Sequence, residues 1–528
     1  MRILYIDIDS LRPDHLGCYD YPRNTSPAID QIAREGLVCE QVYTSDAPCA
    51  PSRTAFYSGR FGIQNGVVGH GGTAAQPKIQ GPMRGFSDYF DEQGLARRLQ
   101  DAGYHTTMIS PFGQRHSAHW IYAGFHEIHN TGQRGMESAE VVMPFVQKWM
   151  TANVRSDNWF LHINFWDPHT PYRAPKSFGD PFAKEPLPEW LNDDDLIKRH
   201  NKMTGPHTSL DVGMYDDRED PRFPRSPGSV KDTAGMRRLV DGYDTGLRYA
   251  DDAIATIIAS LKAAGVYDDT AIIISADHGE NLGELGIYAE HATADEGTCH
   301  VPLIIKFPGG VAGARDTGLH YQFDLAPTLM ELLGQKPSPI WDGRSFASTV
   351  ISGKLTPRDE LIFGQCAHVC QRSVRWDKWL YIRTYHDGFH LFPEEMLFDL
   401  KADPHEQHDL AAKLPEVCRE GFSRFTRWHD IQMKRMEEIS GDTIDPMQTV
   451  LDEGGPHHAS FLTGNPGGIA SFERYLKRLE ATGRADGAAA LRAKYARELV
   501  SATAYSADYC KSRWPQPRRE PSQQKSAG

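Results

Sequence analysis

Four largely apolar runs constrain the fold of this chain more than any other feature. Two of them are predicted strands, at 2–8 (RILYIDI) and 159–165 (WFLHINF). The other two are also predicted strands, at 271–275 (AIIIS) and 301–307 (VPLIIKF), and in them polar residues do not alternate with apolar ones. Strands that are covered on both faces have such continuous apolar sequences, as in a parallel sheet. Helical patterns separate the runs, and this alternation is typical of α/β proteins. The chain is therefore predicted to contain a sheet of mainly parallel strands with helices on both faces.

Helix boundaries are marked by local signals. Ser26-Pro27 supplies an N-cap and a first-turn proline for a helix that ends near Gly36. A second helix is predicted to end at Gly103. The clearest helix covers 243–264, where apolar residues recur on one face and Gly265 follows.

Composition shifts along the chain predict three parts. The first is a catalytic α/β domain, within which a Pro-, Asp-, Arg- and Gly-rich stretch reads as a long loop excursion across one end of the sheet. A smaller α+β domain and a helical extension with a disordered tail follow. The boundaries are 1–345 for the catalytic domain, 176–235 for the excursion, 346–440 for the smaller domain and 441–528 for the extension, with its helix at 468–500 and its tail at 514–528.

Charge and hydropathy exclude some functions. The formal net charge of −13 argues against a general nucleic-acid binder, which needs a basic surface. No apolar run approaches the ~20 residues that span a bilayer, and no signal peptide is recognisable, so we expect a cytoplasmic protein without a membrane partner. The eight cysteines lack a disulfide-scaffold pattern and are expected to be mostly reduced thiols.

Acidic and imidazole side chains follow three of the predicted strands. Asp9 follows the first strand, Asp167 and His169 follow the second, and Asp277-His278 follows the third. Open α/β sheets place their sites at these strand ends. Asp9, Asp277 and His278 could together hold a divalent cation, because carboxylates suit Ca²⁺ or Mg²⁺ and a histidine also admits Mn²⁺ or Zn²⁺.

The segment from Cys49 to Arg60, CAPSRTAFYSGR, carries the strongest signal. It resembles the signature of the formylglycine-dependent (type I) sulfatases of the alkaline phosphatase superfamily, Cys-x-Pro-Ser-Arg with a later small-Gly-Arg. The resemblance extends over roughly residues 2–410 and includes Asp277-His278-Gly279-Glu280 and Asp167-Pro168-His169. It implies an alkaline-phosphatase-like fold, with a large mixed, mostly parallel sheet sandwiched by helices and a smaller C-terminal α+β domain.

The resemblance also implies a cofactor set. The metal ligands would be Asp9, Cys49, Asp277 and His278, holding one divalent cation, with Ca²⁺ favoured and Mg²⁺ or Mn²⁺ as alternatives. Cys49 would be converted to formylglycine (3-oxoalanine) by a formylglycine-generating enzyme. Many family members have two adjacent Asp ligands after the first strand, whereas this chain has Ser10 in the second place. Either Ser10 or Asp7 could complete the metal shell.

Further roles are transferred from the family by position. Arg53 would hold the aldehyde hydrate, His169 would donate a proton to the leaving group and His116 would act as general base. Arg115 and His291 would bind the sulfate; His291 stands where the family usually has a lysine.

The resulting prediction is a sulfuric ester hydrolase acting on a sulfated saccharide or an aryl sulfate. A phosphonate monoester or phosphodiester hydrolase of the same superfamily is the main alternative, and a non-catalytic glycan-binding protein is a weaker one. The sequence leaves open whether the protein forms a homo-oligomer.

Overall fold

The computed structural model describes residues 1–81, 88–356, 358–458 and 466–497. The chain divides into two compact units, Met1–Ala459 and Ser460–Gly528. The predicted disordered tail at 514–528 lies outside the described residues. The described residues include no helix that is long and apolar enough to cross a membrane.

The described strands are β1 (Arg2–Ile8), β2 (Leu37–Tyr43), β3 (Asp46–Ala47), β4 (His105–Ile109), β5 (Glu127–His129), β6 (Trp159–Phe165), β7 (Thr270–Ser275), β8 (Asn281–Leu282), β9 (Tyr288–Glu290), β10 (His300–Lys306), β11 (Ala314–Tyr321), β12 (Glu360–Gln365), β13 (Cys370–Trp376), β14 (Trp379–His386) and β15 (Glu395–Asp399). The described helices of the first unit are α1 (Pro27–Arg34), α2 (Cys49–Ser58), α3 (Gly62–Asn65), α4 (Tyr89–Gln93), α5 (Leu95–Asp101), α6 (Phe112–Arg115), α7 (Ala139–Asn153), α8 (Asp194–His200), α9 (Thr233–Ala263), α10 (Glu296–Cys299), α11 (Leu325–Leu332), α12 (Ala347–Ser352), α13 (Pro415–Ser440) and α14 (Pro446–Asp452).

An eight-stranded sheet forms the centre of the first unit, in the order β11-β2-β10-β7-β1-β6-β4-β5. Strand β1 lies between β6 and β7 and is parallel to both. Strand β10 is antiparallel to β7 and to β2. The sheet is therefore mixed and mostly parallel, as the resemblance implied. The apolar run at 301–307, compared above with parallel strands, forms this antiparallel strand, since burial on both faces leaves no trace of strand direction in a sequence.

Helix α9 covers one face of this sheet and begins earlier than predicted. It starts at Thr233 rather than at 243, and the Asp232 side chain caps it by accepting a hydrogen bond from the Gly235 amide. Its first turns bury Met236 and Leu239 in a separate apolar cluster with residues of the 176–235 excursion. The excursion therefore packs into a small core that it shares with α9 and β9, and it contributes Leu191 and Ile197 of its short helices.

A second sheet has the order β15-β14-β13-β12-β3, with α13 packed on it. Most of it lies within the predicted 346–440 region. Strand β3, however, comes from just before Cys49 and pairs in parallel with β12. The second sheet is thus tied directly to the segment that carries the nucleophile candidate.

The described part of the second unit contains two helices, α15 (Pro466–Ala481) and α16 (Ala485–Lys494). They cover most of the helix predicted at 468–500, with a break between 481 and 485. Residues 498–500 of that prediction lie outside the described residues.

Candidate active site

Adjacent strands bring the predicted metal ligands together. Asp9 follows β1, and Asp277 and His278 follow β7, which pairs with β1. All three side chains are buried. The Ser10 amide donates to Asp277 Oδ1 at 3.4 Å, which links the two strand ends directly.

Cys49 is the first residue of α2, and the whole of that helix is buried. Its Sγ lies 3.0 Å from Nε2 of His278. Burial, followed by the carboxylates of Asp9 and Asp277, raises the pKa of the Cys49 thiol well above its usual value. The unmodified thiol is therefore disfavoured as a thiolate, which is the form that a cysteine nucleophile requires.

Arg53 lies one turn further along α2 and faces three carboxylates. Its guanidinium donates to Asp7 and, at 2.9 Å, to Oδ2 of Asp9. It also lies 3.0 Å from Oδ2 of Asp277. One arginine therefore fixes the carboxylates beside the nucleophile candidate, and a planar guanidinium suits this multiple pairing better than a lysine would.

Four potential ligand atoms, from Asp9, Cys49, Asp277 and His278, lie within 4.8 Å of one another. Burial and then the charge of Asp277 raise the pKa of Asp9 well above its usual value. Two buried carboxylates and an imidazole are the donor set that a hard or borderline divalent cation prefers. The residues present therefore fit a metal ion. The Asp7 carboxylate is instead held by Arg53 and His162, and the Ser10 hydroxyl donates to Asp9 at 3.2 Å.

Three predicted imidazoles line the same place. His116 has a ring nitrogen within 4.8 Å of the Cys49 sulfur, as does His291. Nε2 of His169 lies 3.9 Å from Asp9, and its ring centroid is 5.4 Å from that of His291. Nε2 of His169 and Nδ1 of His291 are buried without a hydrogen-bond partner among the described residues. Such buried polar atoms are costly unless a ligand or water satisfies them, so the pair is suited to meet a substrate.

Arg115 lies at the edge of this group. Its Nε donates to Nε2 of His116 at 3.2 Å, and its guanidinium stacks 5.0 Å from the Trp166 ring. Its charge also acts on Asp9 and on Cys49, lowering the pKa of each against the larger effect of burial. The structure thus gathers every predicted site residue around Cys49.

The sequence analysis missed two further residues of the site. His70 has a ring nitrogen within 4.8 Å of the Cys49 sulfur, and its Nε2 accepts a hydrogen bond of 3.3 Å from the Ala50 amide. Arg173 is buried, and its charge acts on Asp9. The glycines that flank His70 were the one available signal, because a glycine often marks a close approach; a Cβ at Gly71 would lie 2.4 Å from the His457 ring.

Comparison with known proteins indicates the family of this chain. The family model described as Sulfatase matches residues 2–335. Iduronate 2-sulfatase of Homo sapiens is 24% identical over 363 residues, a match covering 63% of this chain and 65% of that protein. The chain thus spans just under two-thirds of the length of that relative.

Solved structures resemble the fold. A structure described as being in complex with its substrate D-glucosamine-2-N,6-O-disulfate has a TM-score of 0.65 and 17% identity, covering 85% of this chain and 99% of that one. The phosphonate monoester hydrolase of Agrobacterium radiobacter has a TM-score of 0.62 and 18% identity, covering 82% and 96%. The fold is shared, and the family model spans well over half of the sequence. The chain belongs to the sulfatase family.

Proposed function

We propose that this protein hydrolyses sulfate esters of saccharides, with a formylglycine made from Cys49 as its nucleophile and one divalent cation, Ca²⁺, beside it. The observation that carries the proposal is the position of Cys49, at the start of a buried helix within ligand distance of Asp9, Asp277 and His278. The disulfated glucosamine named for the structural neighbour supports a saccharide as substrate. The reaction consumes water and releases an alcohol and sulfate.

Formylglycine hydrate offers one hydroxyl to attack sulfur and a second whose deprotonation releases the sulfate, while a bound cation polarises the reacting oxygens. The protein's own groups position and neutralise the substrate. Arg53 orients Asp9 and Asp277 at the cation site. Arg115 and His291 offer positive charge to the sulfate oxygens, where charge builds up in the transition state.

His291 is suited to its role by Glu290. Its Nε2 lies 2.9 Å from Oε1 of Glu290. Burial lowers the pKa of His291, but Glu290, which acts by charge and by hydrogen bond, and the charges of Glu280 and Asp277 together outweigh burial, so the pKa is raised above its ordinary value. A charged imidazole can therefore replace the lysine that is usual in the family.

His116 and His169 divide the proton transfers. Burial, together with the charges of Arg115 and Arg53, lowers the pKa of His116 well below its usual value, so the ring is neutral and can accept a proton. His169 donates through Nδ1 to the Thr170 carbonyl, which leaves Nε2 without a hydrogen-bond partner among the described residues, 3.9 Å from Asp9. Burial also lowers the pKa of His169, and an incoming sulfate anion favours the protonated ring that a leaving group needs.

A phosphonate monoester hydrolase is the second candidate, because the Agrobacterium radiobacter enzyme shares the fold. The Pro51-Ser52 pair favours a sulfatase, because it belongs to the Cys-x-Pro-Ser-Arg signature that the sequence resembles. The Ser52 hydroxyl donates to the carbonyl of Asp277 at 2.6 Å and so couples the nucleophile helix to a metal-ligand strand end.

The test compares turnover of sulfated glucosamines, an aryl sulfate and a phosphonate monoester by protein made with a formylglycine-generating enzyme. Mass spectrometry of the peptide that contains residue 49 measures conversion. We expect conversion, with the highest kcat/KM on a sulfated glucosamine, and no turnover by Cys49→Ala. Turnover by protein that contains only the thiol, or a preference for the phosphonate, would overturn the proposal.

A further inference from the structure

A second group of potential ligands lies beside the site, and only its glutamate, through His291, bears on the proposed reaction. His207, Glu290 and His368 place ligand atoms within 4.8 Å of one another. Nε2 of His207 is 3.3 Å from Oε2 of Glu290, and Nε2 of His368 is 3.8 Å from Oε1. Both imidazoles are buried, and the glutamate is only 12% exposed.

Hydrogen bonding alone does not account for this arrangement. The separation between His368 and Glu290 is too long for a hydrogen bond. Nδ1 of His368 is also buried without a partner among the described residues. In His207, Nδ1 lies 3.1 Å from the Val212 carbonyl, so this nitrogen carries the proton and donates. Nε2 of His207 then presents its lone pair toward Glu290, which is the usual orientation of a metal-bound histidine.

The three side chains come from three separate segments that are fixed independently of any ion. The His207 amide donates to the Met214 carbonyl, and the Tyr288 amide of β9 donates to the His207 carbonyl at 2.8 Å. The Gln365 side chain accepts from the His368 amide and donates to the His291 carbonyl at 2.9 Å. The positions are therefore preorganised, which reduces the entropic cost of binding a ligand.

The separations suit a small tetrahedral ion. Ligands about 2.0–2.1 Å from a zinc ion in tetrahedral geometry lie ~3.3 Å apart. The 3.3 Å between Nε2 of His207 and Oε2 of Glu290 matches this spacing. Nε2 of His368 is 3.8 Å from the other carboxylate oxygen, Oε1, and a ligand atom of His368 lies within 4.8 Å of those of both partners. Two imidazoles and one carboxylate form a donor set that zinc accepts, leaving the fourth position for water.

We propose that His207, Glu290 and His368 form a second metal site, selective for Zn²⁺ or a similar transition-metal ion and separate from the cation site at Cys49. The ion joins the 176–235 excursion to β9 and to the loop before β13. It uses Oε2 of Glu290, so Oε1 stays bonded to His291. The second ion thereby holds the carboxylate that orients His291.

The test uses the full-length Cys49→Ala, Asp277→Ala double variant, in which the first cation site has lost two ligands. Zn²⁺ is titrated against a chromophoric chelator, and Co²⁺ binding is followed by its visible absorption bands. We expect one tight zinc equivalent and a tetrahedral cobalt spectrum without thiolate charge-transfer bands. Adding His207→Ala or His368→Ala should weaken zinc binding by more than about 100-fold, beyond what loss of a second-shell partner costs.

His200→Ala in the same double variant is the matched control, because His200 is another buried histidine of the excursion, bonded to Tyr288. It should keep the zinc equivalent. The nearly isosteric Glu290→Gln should lose it while still melting in a single cooperative transition in zinc-free buffer. The proposal is wrong if the double variant binds no zinc more tightly than its His207→Ala derivative does, or if His200→Ala weakens binding equally.

Discussion

Glu290 is the main group that favours the charged form of its neighbour His291. Nε2 of His291 lies 2.9 Å from Oε1 of Glu290, and this carboxylate, with those of Glu280 and Asp277, raises the imidazole pKa against the effect of burial. The ring centroid of His291 lies 4.1 Å from that of His278 and 5.4 Å from that of His169. A charged His291 therefore lies beside His278, the proposed metal ligand, and His169, the proposed proton donor, where a sulfate group would bind.

Replacing His291 tests this charge. His291→Ala should lower kcat/KM by about 10²-fold, the scale of a lost transition-state contact. His291→Lys restores a cation and should stay within about tenfold of the parent. His300→Ala is the matched control, since His300 also pairs with a glutamate, Glu296, at 3.3 Å, but it belongs to β10 and not to the proposed site. Steady-state kinetics on a sulfate ester measures all three, and equal rates for the parent and His291→Ala would contradict the role.

Asp277 offers a test of the cation site that does not depend on turnover. Removing one of two buried carboxylates leaves a weaker donor set, so Asp277→Ala should lose the divalent ion that the parent retains. Elemental analysis after gel filtration measures the bound ion. Asp211→Ala is a control with another fully buried aspartate. Full retention of the ion by Asp277→Ala would remove this residue from the ligand set.

Sequence analysis could select a candidate site residue only where that residue belongs to a local pattern. Asp9 and Asp277 follow recognisable strands, and Cys49 begins a continuous motif. His70 and His368 belong to no such pattern, since their partners come from distant segments of a chain with 23 histidines. Tertiary contacts alone distinguish these imidazoles from the rest.

At the level of elements, α2 ends at a glycine that cannot be replaced without cost. Gly59 adopts φ 65° as the C-cap of this helix. A Cβ at this position would lie 2.6 Å from the Trp341 ring. Backbone conformation and packing therefore both select glycine at the end of the nucleophile helix.

Two glycine variants separate these effects. Gly265 follows α9 at φ 74°, and a Cβ there meets nothing within 4 Å. Gly265→Ala should cost about 1 kcal/mol of unfolding free energy from the left-handed backbone alone. Gly59→Ala should cost about 1–3 kcal/mol more, because the Trp341 ring must move. Denaturant unfolding monitored by fluorescence measures the difference, and equal losses would show that the contact with Trp341 is unimportant.

The sequence predicted elements better than their limits and directions. Strands β1, β6 and β7 were recognised from apolar runs that the central sheet requires. The first ten residues of α9 were missed, because they contain polar residues and Gly235 and Gly242, and part of their burial is against the excursion. The antiparallel direction of β10 was also invisible, because pairing is a property of the assembled sheet.

For the whole molecule, the two sheets of the first unit share a core. One apolar cluster contains Ala55 of α2 and Phe61 together with Phe363, Leu380 and Ile382 of the second sheet. Strand β3, directly before the nucleophile helix, is hydrogen-bonded to β12. The second sheet therefore supports the position of Cys49, and we infer that the two sheets unfold together.

A cavity placed in the core beside either sheet tests this coupling. Leu380 of β14 and Leu261 of α9 are both fully buried, in the shared cluster and in the core of the large sheet respectively. Each Leu→Ala change should cost about 2–5 kcal/mol. If the sheets form one cooperative unit, both variants should lower the midpoint temperature of a single unfolding transition. Catalytic activity should then be lost at the same temperature as the transition. Calorimetry with parallel activity measurements distinguishes this from independent unfolding, in which Leu380→Ala would produce an earlier transition that leaves the large sheet intact. In that case Leu261→Ala would shift only the later transition, and the second sheet would not be needed to hold α2 in place.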